Sequence, residues 1–188
     1  MIIYSNATLP TELVVSLTEV KAWLKIDGTD EDTLLTSLIA SATAECEAYA
    51  GLSFITRTRT VSLTHFHGKD ILLPYGPVTE LTSIEYVDQD DADQTIDDAD
   101  YSIDMASGLA RVRVTETWPS TNRTLSNVVV TYVAGYEDAA AVPEIIKTAI
   151  KKKVALDYEK RGDTNEDSEA WMRTLDRIKV YWNAEYCY

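Results

Sequence analysis

Apolar residues recur at helical spacing near both ends of the chain and at strand spacing between them. Val20, Trp23 and Leu24 form a short apolar stripe behind Ser16. Ser16 with Glu19 fits a capping box, in which the hydroxyl takes a free backbone N–H and the carboxylate reaches back. Asp27-Gly28 predicts a break, because glycine accepts the left-handed conformation of a helix end. Thr29 or Asp30 can then cap a second helix, with Glu31 and Asp32 in its first turn, where the helix dipole favours anions. Leu35, Leu38, Ile39, Ala42, Cys46 and Tyr49 follow at i, i+3, i+4, i+7, i+11 and i+14, one face of a helix of roughly five turns. Gly51 is its predicted stop. The lead-in, residues 1–15, has no clear period and reads as an arm or extended segment.

After Gly51 the period changes to two. Thr56, Thr58, Thr60, Ser62 and Thr64 alternate with Arg57, Arg59, Val61, Leu63 and His65, a strand with one hydroxyl face. Ile71–Leu73 is a short strand, ended by the Pro74-Tyr75-Gly76-Pro77 turn. Val78–Val87 is another, with Val78, Ile84 and Tyr86 on one face. Tyr101–Asp104 and Leu109–Thr115 are strands joined through residues 106–108, residues 118–122 are loop, and Val128–Val133 is a β-branched run suited to a buried strand. Pro143 opens a helix with Ile146, Ala149, Ile150, Val154 and Tyr158 in its stripe. Arg161-Gly162-Asp163 stops it. Residues 166–188 read as a last helix, with Trp171, Leu175, Ile178 and Trp182 at i, i+4, i+7 and i+11 and a crowd of aromatics at its end. The pattern predicts an α+β fold, mainly helical, with a small antiparallel β-sheet insert. It is read as one domain, residues 1–188: arm 1–15, helix pair 16–51, β insert 52–136 and C-terminal helices 142–188.

Length and composition fit this picture. The chain has 188 residues, enough for a real core, and no apolar run approaches the roughly 20 residues of a membrane helix. The first residues lack the basic and apolar regions of a signal peptide, so a cytoplasmic place of synthesis is expected. Two cysteines, Cys46 and Cys187, make neither a disulfide framework nor a metal motif. The net charge of −14, from 31 acidic and 17 basic side chains, disfavours a protein that grips DNA, since that takes cations to replace phosphate counterions.

Three features invite chemistry. His65 and His67 lie at i and i+2 of a strand and could face one metal ion, with only Asp70 nearby as a third ligand. This is the basis of an alternative reading as a small metal-dependent enzyme; a surface pair at a strand end is the simpler one. Residues 88–100 carry seven aspartates, but counting from Asp88 an EF-hand would need glycine and glutamate where Asp93 and Ala99 stand. A solvated hairpin tip is the expectation. Lys151-Lys152-Lys153 fan around a helix rather than forming one row, and read as a solvated face with pairs such as Lys153 to Asp157. The sequons at Asn6 and Asn122 matter only in a secreted protein. Phosphate-binding glycine loops, GxSxG, HExxH and CxxC patterns do not occur.

The order of these devices resembles the head–tail connector (adaptor, or head-completion) proteins of tailed bacteriophages. The resemblance is carried by Leu17-Thr18-Glu19, the acidic turn Asp27-Gly28-Thr29-Asp30-Glu31-Asp32, Tyr49-Ala50-Gly51, Pro77-Val78 with Ile84-Glu85-Tyr86, Tyr101–Asp104, Trp118-Pro119, Val130–Tyr136 and Val142–Ile150, closing with Tyr158 and Arg161. It covers residues 16–161. It implies a structural protein of the virion neck without catalysis or cofactor, made in the host cytoplasm. The implied assembly is a roughly dodecameric ring between the portal protein and a tail-completion or stopper protein. DNA would pass through without specific binding, and no membrane would be involved. A closed ring needs two complementary faces. The expected ones are the polar face of the long helix (Thr36, Ser37, Ser41, Glu45, Glu47), Lys151 and Lys152, and the aromatics Trp171, Trp182, Tyr186 and Tyr188. A nucleic-acid-binding module is a third reading, disfavoured by charge.

Overall fold

The structure is a computed structural model that describes residues 2–8, 10, 12–66, 68–105, 110–122, 127–160 and 169–179. The described residues fall into two compact units. Those of Met1–Leu9 and Thr56–Gly135 make one; those of Pro10–Ile55 and Tyr136–Lys179 make the other.

The described residues of the first unit are built on β-sheet, with one short 3-10 turn at Asp98–Asp100. Its strands are β1 (Ile2–Ala7), β2 (Arg57–Leu63), β3 (Asp70–Leu73), β4 (Val78–Val87), β5 (Asp93–Thr95), β6 (Tyr101–Asp104), β7 (Ala110–Val114) and β8 (Val128–Ala134). They form a five-stranded sheet, β1-β2-β8-β4-β5, and a three-stranded sheet, β3-β7-β6. Every pairing between them is antiparallel. β8 is central because its inward residues, Val128, Val130, Tyr132 and Ala134, are all buried. β2 beside it buries Val61 and Leu63, while Thr58, Thr60 and Ser62 form the expected hydroxyl face. Ile71, Leu73, Ala110 and Val112 of the smaller sheet join the same apolar cluster. The Tyr132 hydroxyl is buried too, and donates to the Pro74 carbonyl at 2.6 Å. Two register shifts bend β4. The acidic stretch forms the expected hairpin tip: Asp88 accepts hydrogen bonds from the backbone of Asp90 and Ala92 and from the Gln94 amide, and only Ile96 turns inward.

The second unit is helical: α1 (Leu17–Leu24), α2 (Asp32–Ala50), α3 (Glu144–Glu159) and α4 (Ala170–Leu175). The capping box forms on both sides, Ser16 Oγ taking the Glu19 N–H and the Glu19 carboxylate taking the Ser16 N–H at 2.8 Å. α2 buries Leu35, Ile39, Ala42 and Cys46 and ends at Gly51, whose φ of 67° is the left-handed stop predicted for it. α3 buries Ile146, Ala149, Ile150 and Val154.

The structure corrects the fold expectation. The protein is α+β but not mainly helical: among the described residues, eight strands in two antiparallel sheets hold about as many residues as four helices. β1 and β5 escape a pattern reading because pairing with a distant neighbour, rather than local alternation, makes them strands, whereas the short strands β3, β6 and β7 lie where the pattern predicts them. β1 lies inside the stretch read as an arm. At the end of α1 the left-handed residue is Lys25 (φ 57°), three positions before the expected break at Gly28. α2 has no side-chain cap from Thr29 or Asp30; its first residue, Asp32, instead accepts an ion pair from Lys21 at 2.7 Å. Glu47 is buried rather than on the polar face. Of the helix expected over 166–188, the described residues form only α4, which ends at Leu175 with Asp176–Ile178 in a turn; residues 166–168 and 180–188 lie outside the described residues.

Candidate functional site

The surface that could serve assembly lies on α2. Its exposed side carries Thr33, Leu34, Thr36, Ser37, Ala40, Ser41, Ala44, Glu45 and Ala48. Thr36, Ser37, Ser41 and Glu45 were expected there. Leu34, Ala44 and Ala48 were not, yet with Ser37 and Ser41 they run at i, i+3, i+7, i+10 and i+14, a second seam opposite the buried one. The signal is the absence of charge: no ionisable side chain stands between Asp32 and Glu45. An exposed helix face usually carries Lys, Glu and Arg, and small uncharged residues allow close approach of another backbone.

Glu45 marks the edge of this face. Its carboxylate accepts from the Lys153 ammonium at 3.0 Å, and Asp157 accepts from the same ammonium at 2.6 Å. Burial works against the charge on Lys153, but these two hydrogen bonds outweigh it and hold its pKa above the usual value. The pair of Lys153 with Asp157 is the one predicted. The neighbouring lysines diverge. Lys151 lies with its ammonium 5.5 Å from the centre of the Trp23 ring. Lys152 donates to the Thr174 hydroxyl at 3.0 Å. Trp23, placed by its spacing in the stripe of α1, is instead nearly half exposed, at 48%.

Trp171 is buried, edge-on to Tyr49 with ring centres 5.3 Å apart, and the Tyr49 hydroxyl donates to Asp176 at 2.6 Å. Trp182, Tyr186 and Tyr188 lie outside the described residues.

The sheet unit holds a cleft of about 550 Å³. Its wall is Phe66 stacked on Trp118, with ring centres 4.7 Å apart and planes within 4°, and Lys69 and Arg113 lie at its rim. Arg113 is committed to Asp70 through two hydrogen bonds, 2.6 and 2.8 Å, which hold the Asp70 carboxyl below the usual carboxylate range. His65 lines the same cleft, exposed, just beyond the end of β2; His67 lies outside the described residues. Among the described residues, no three of His, Cys, Asp or Glu converge as metal ligands, and no helix is long and apolar enough to cross a membrane. Burial pushes the Cys46 thiol up to about 12, which makes it a small core residue with little nucleophilic character.

Comparison with known proteins adds the family. No curated protein matches the chain. Among solved structures, a chain from the neck of an empty GTA particle, computed with C6 symmetry, is 22% identical with a TM-score of 0.77. A chain from the virion of a native gene transfer agent (GTA) particle is 20% identical with a TM-score of 0.79. One from the neck of a native GTA particle, computed with C12 symmetry, is 22% identical with a TM-score of 0.71. Each match covers 96% of this chain and 97% of the other, and at these identities establishes a shared fold. The sequence itself matches the head completion protein family over residues 13–171, which is most of its length, and the chain therefore belongs to that family.

Proposed function

We propose that this head completion protein, a structural component of a virion, works in the head–tail neck as one subunit of a closed ring through which DNA passes. The observation that carries the reading is the family match over residues 13–171. The shared fold with neck chains of particles computed with C6 and C12 symmetry supports it. A ring of identical subunits uses heterologous interfaces, so each subunit presents two different faces. The outer side of α2, with Leu34, Thr36, Ser37, Ser41, Ala44 and Glu45, is one. The surface around Trp23 and Lys151 is a candidate for the other; an exposed tryptophan is a common interface anchor. Lys152 and the aromatics Trp182, Tyr186 and Tyr188 complete the proposed contacts with a neighbour or with the portal protein, while Trp171, buried against Tyr49, is left to the core. A tail-completion or stopper protein would meet the opposite end. The role is assembly rather than catalysis. The acidic excess of the chain, repeated around a ring, would give a channel wall that repels phosphate and lets DNA slide.

The test is native mass spectrometry and negative-stain imaging of the pure protein, alone and mixed with its portal. Rings or portal-bound rings are expected. A chain that stays monomeric in both conditions and never binds the portal would overturn the reading.

A further inference from the structure

We infer that β1 is an exchanged strand, pairing in the assembled ring with β2 of the neighbouring copy rather than with β2 of its own chain. The inference rests on the ring reading and names one of its contacts.

Three observations lead to it. First, among the described residues β1 is an edge strand with a single partner, β2. It pairs with β2 from Ile2↔Leu63 to Ala7↔Arg59, with a register shift between Ile2 and Tyr4, and Thr8 extends the ladder by donating its N–H to the Thr58 carbonyl at 3.1 Å. These are backbone hydrogen bonds, and the β2 of any copy offers the same ones. Second, β1 is separated in sequence from the rest of its sheet. Residues 10–55, which belong to the helical unit, intervene before β2 begins. Third, the connection is short in sequence. Glu12 is already held in the helical unit, its carboxylate accepting the Ala139 N–H at 2.7 Å, and Val14 and Val15 are buried there. Only Leu9-Pro10-Thr11 lies between the last ladder bond and this anchor. The four steps from Thr8 to Glu12 reach about 14 Å at most, and proline fixes one of the backbone angles between them.

A short hinge between an edge strand and a firmly held element is the arrangement that favours exchange between copies. Withdrawing β1 leaves the β2 edge with a row of open N–H and C=O groups, which a second strand must fill. A heterologous donation of β1 from each copy to the next fills the β2 edge of every copy and closes the ring.

Asn6 and Thr60 are register partners, so cysteines there meet a disulfide's needs in either arrangement. In a Cys187→Ser background, Asn6→Cys and Thr60→Cys are made in separate chains, mixed, assembled with the portal and oxidised. Each chain then carries one introduced thiol, and a bond between positions 6 and 60, identified by peptide mass, must join two chains. Exchange predicts interchain linkage approaching half of the chains in the rings, and none when Thr82→Cys replaces Thr60→Cys. The double variant, with both cysteines in one chain, should give a covalent ladder of multimers. If rings form, the mixed chains stay unlinked and the double variant closes only within each chain, exchange is wrong and the ring stands. If nothing larger than a monomer forms and bonds close only within chains, both fail.

Discussion

At the scale of single residues, a few buried polar groups stand among the apolar side chains that fill the core. Glu47 follows Cys46 on a helix rich in polar residues, and its identity suggests a solvated position. The structure buries it so that it can accept the Phe54 N–H at 2.7 Å. A buried N–H left without a partner costs about 1–3 kcal/mol, so Glu47→Ala should lower stability by that amount in urea denaturation, and Glu47→Gln by less. Tyr132→Phe removes the donor to the buried Pro74 carbonyl and should cost about 1 kcal/mol or more in the same measurement. Asp70 gives a pH signature. Its carboxyl is depressed by Arg113, so the pair contributes stability above the unfolded carboxylate value, near 3.9, and loses it as pH falls through the folded value. The difference in midpoint between wild type and Asp70→Asn should therefore be present at neutral pH and close below about pH 4. It should be small throughout, because Arg113 is more than half exposed.

At the scale of elements, the helices were legible wherever a local device decides them. The capping box of α1, the apolar stripe of α2, its glycine stop and the Pro143 start of α3 all stand where the sequence places them. Ser16→Ala should cost about 1 kcal/mol, read from thermal unfolding, because it frees the Glu19 N–H. β2, with its long alternation, and β8, a continuous β-branched run, were equally legible. β1 and β5 were not, since six and three residues with little period become strands only by pairing with β2 and β4. The end of α1 was misplaced for a related reason. Lys25 adopts the left-handed conformation because its N–H and that of Ile26 both close on the Lys21 carbonyl, and Gly28 is left for the turn beyond.

For the whole molecule, the question is how one chain presents two faces to its copies. If the outer side of α2 is one of them, Ser41→Arg or Ala44→Arg should leave the monomer's stability within about 0.5 kcal/mol, since both positions are exposed, and abolish ring formation in native mass spectra. A variant that still closes into rings would remove α2 from the interface. The sequence by itself determined the α+β class, the long helix, the core strands and the order of capping and turn devices that resembles the connector proteins, because each is a local property of spacing and residue type. Only the tertiary structure decided the balance of sheet and helix, the burial of Glu47, the exposure of Trp23 and the pairing of β1. Those depend on which distant segments meet, and backbone pairing and burial are settled by the partner rather than by the segment's own pattern.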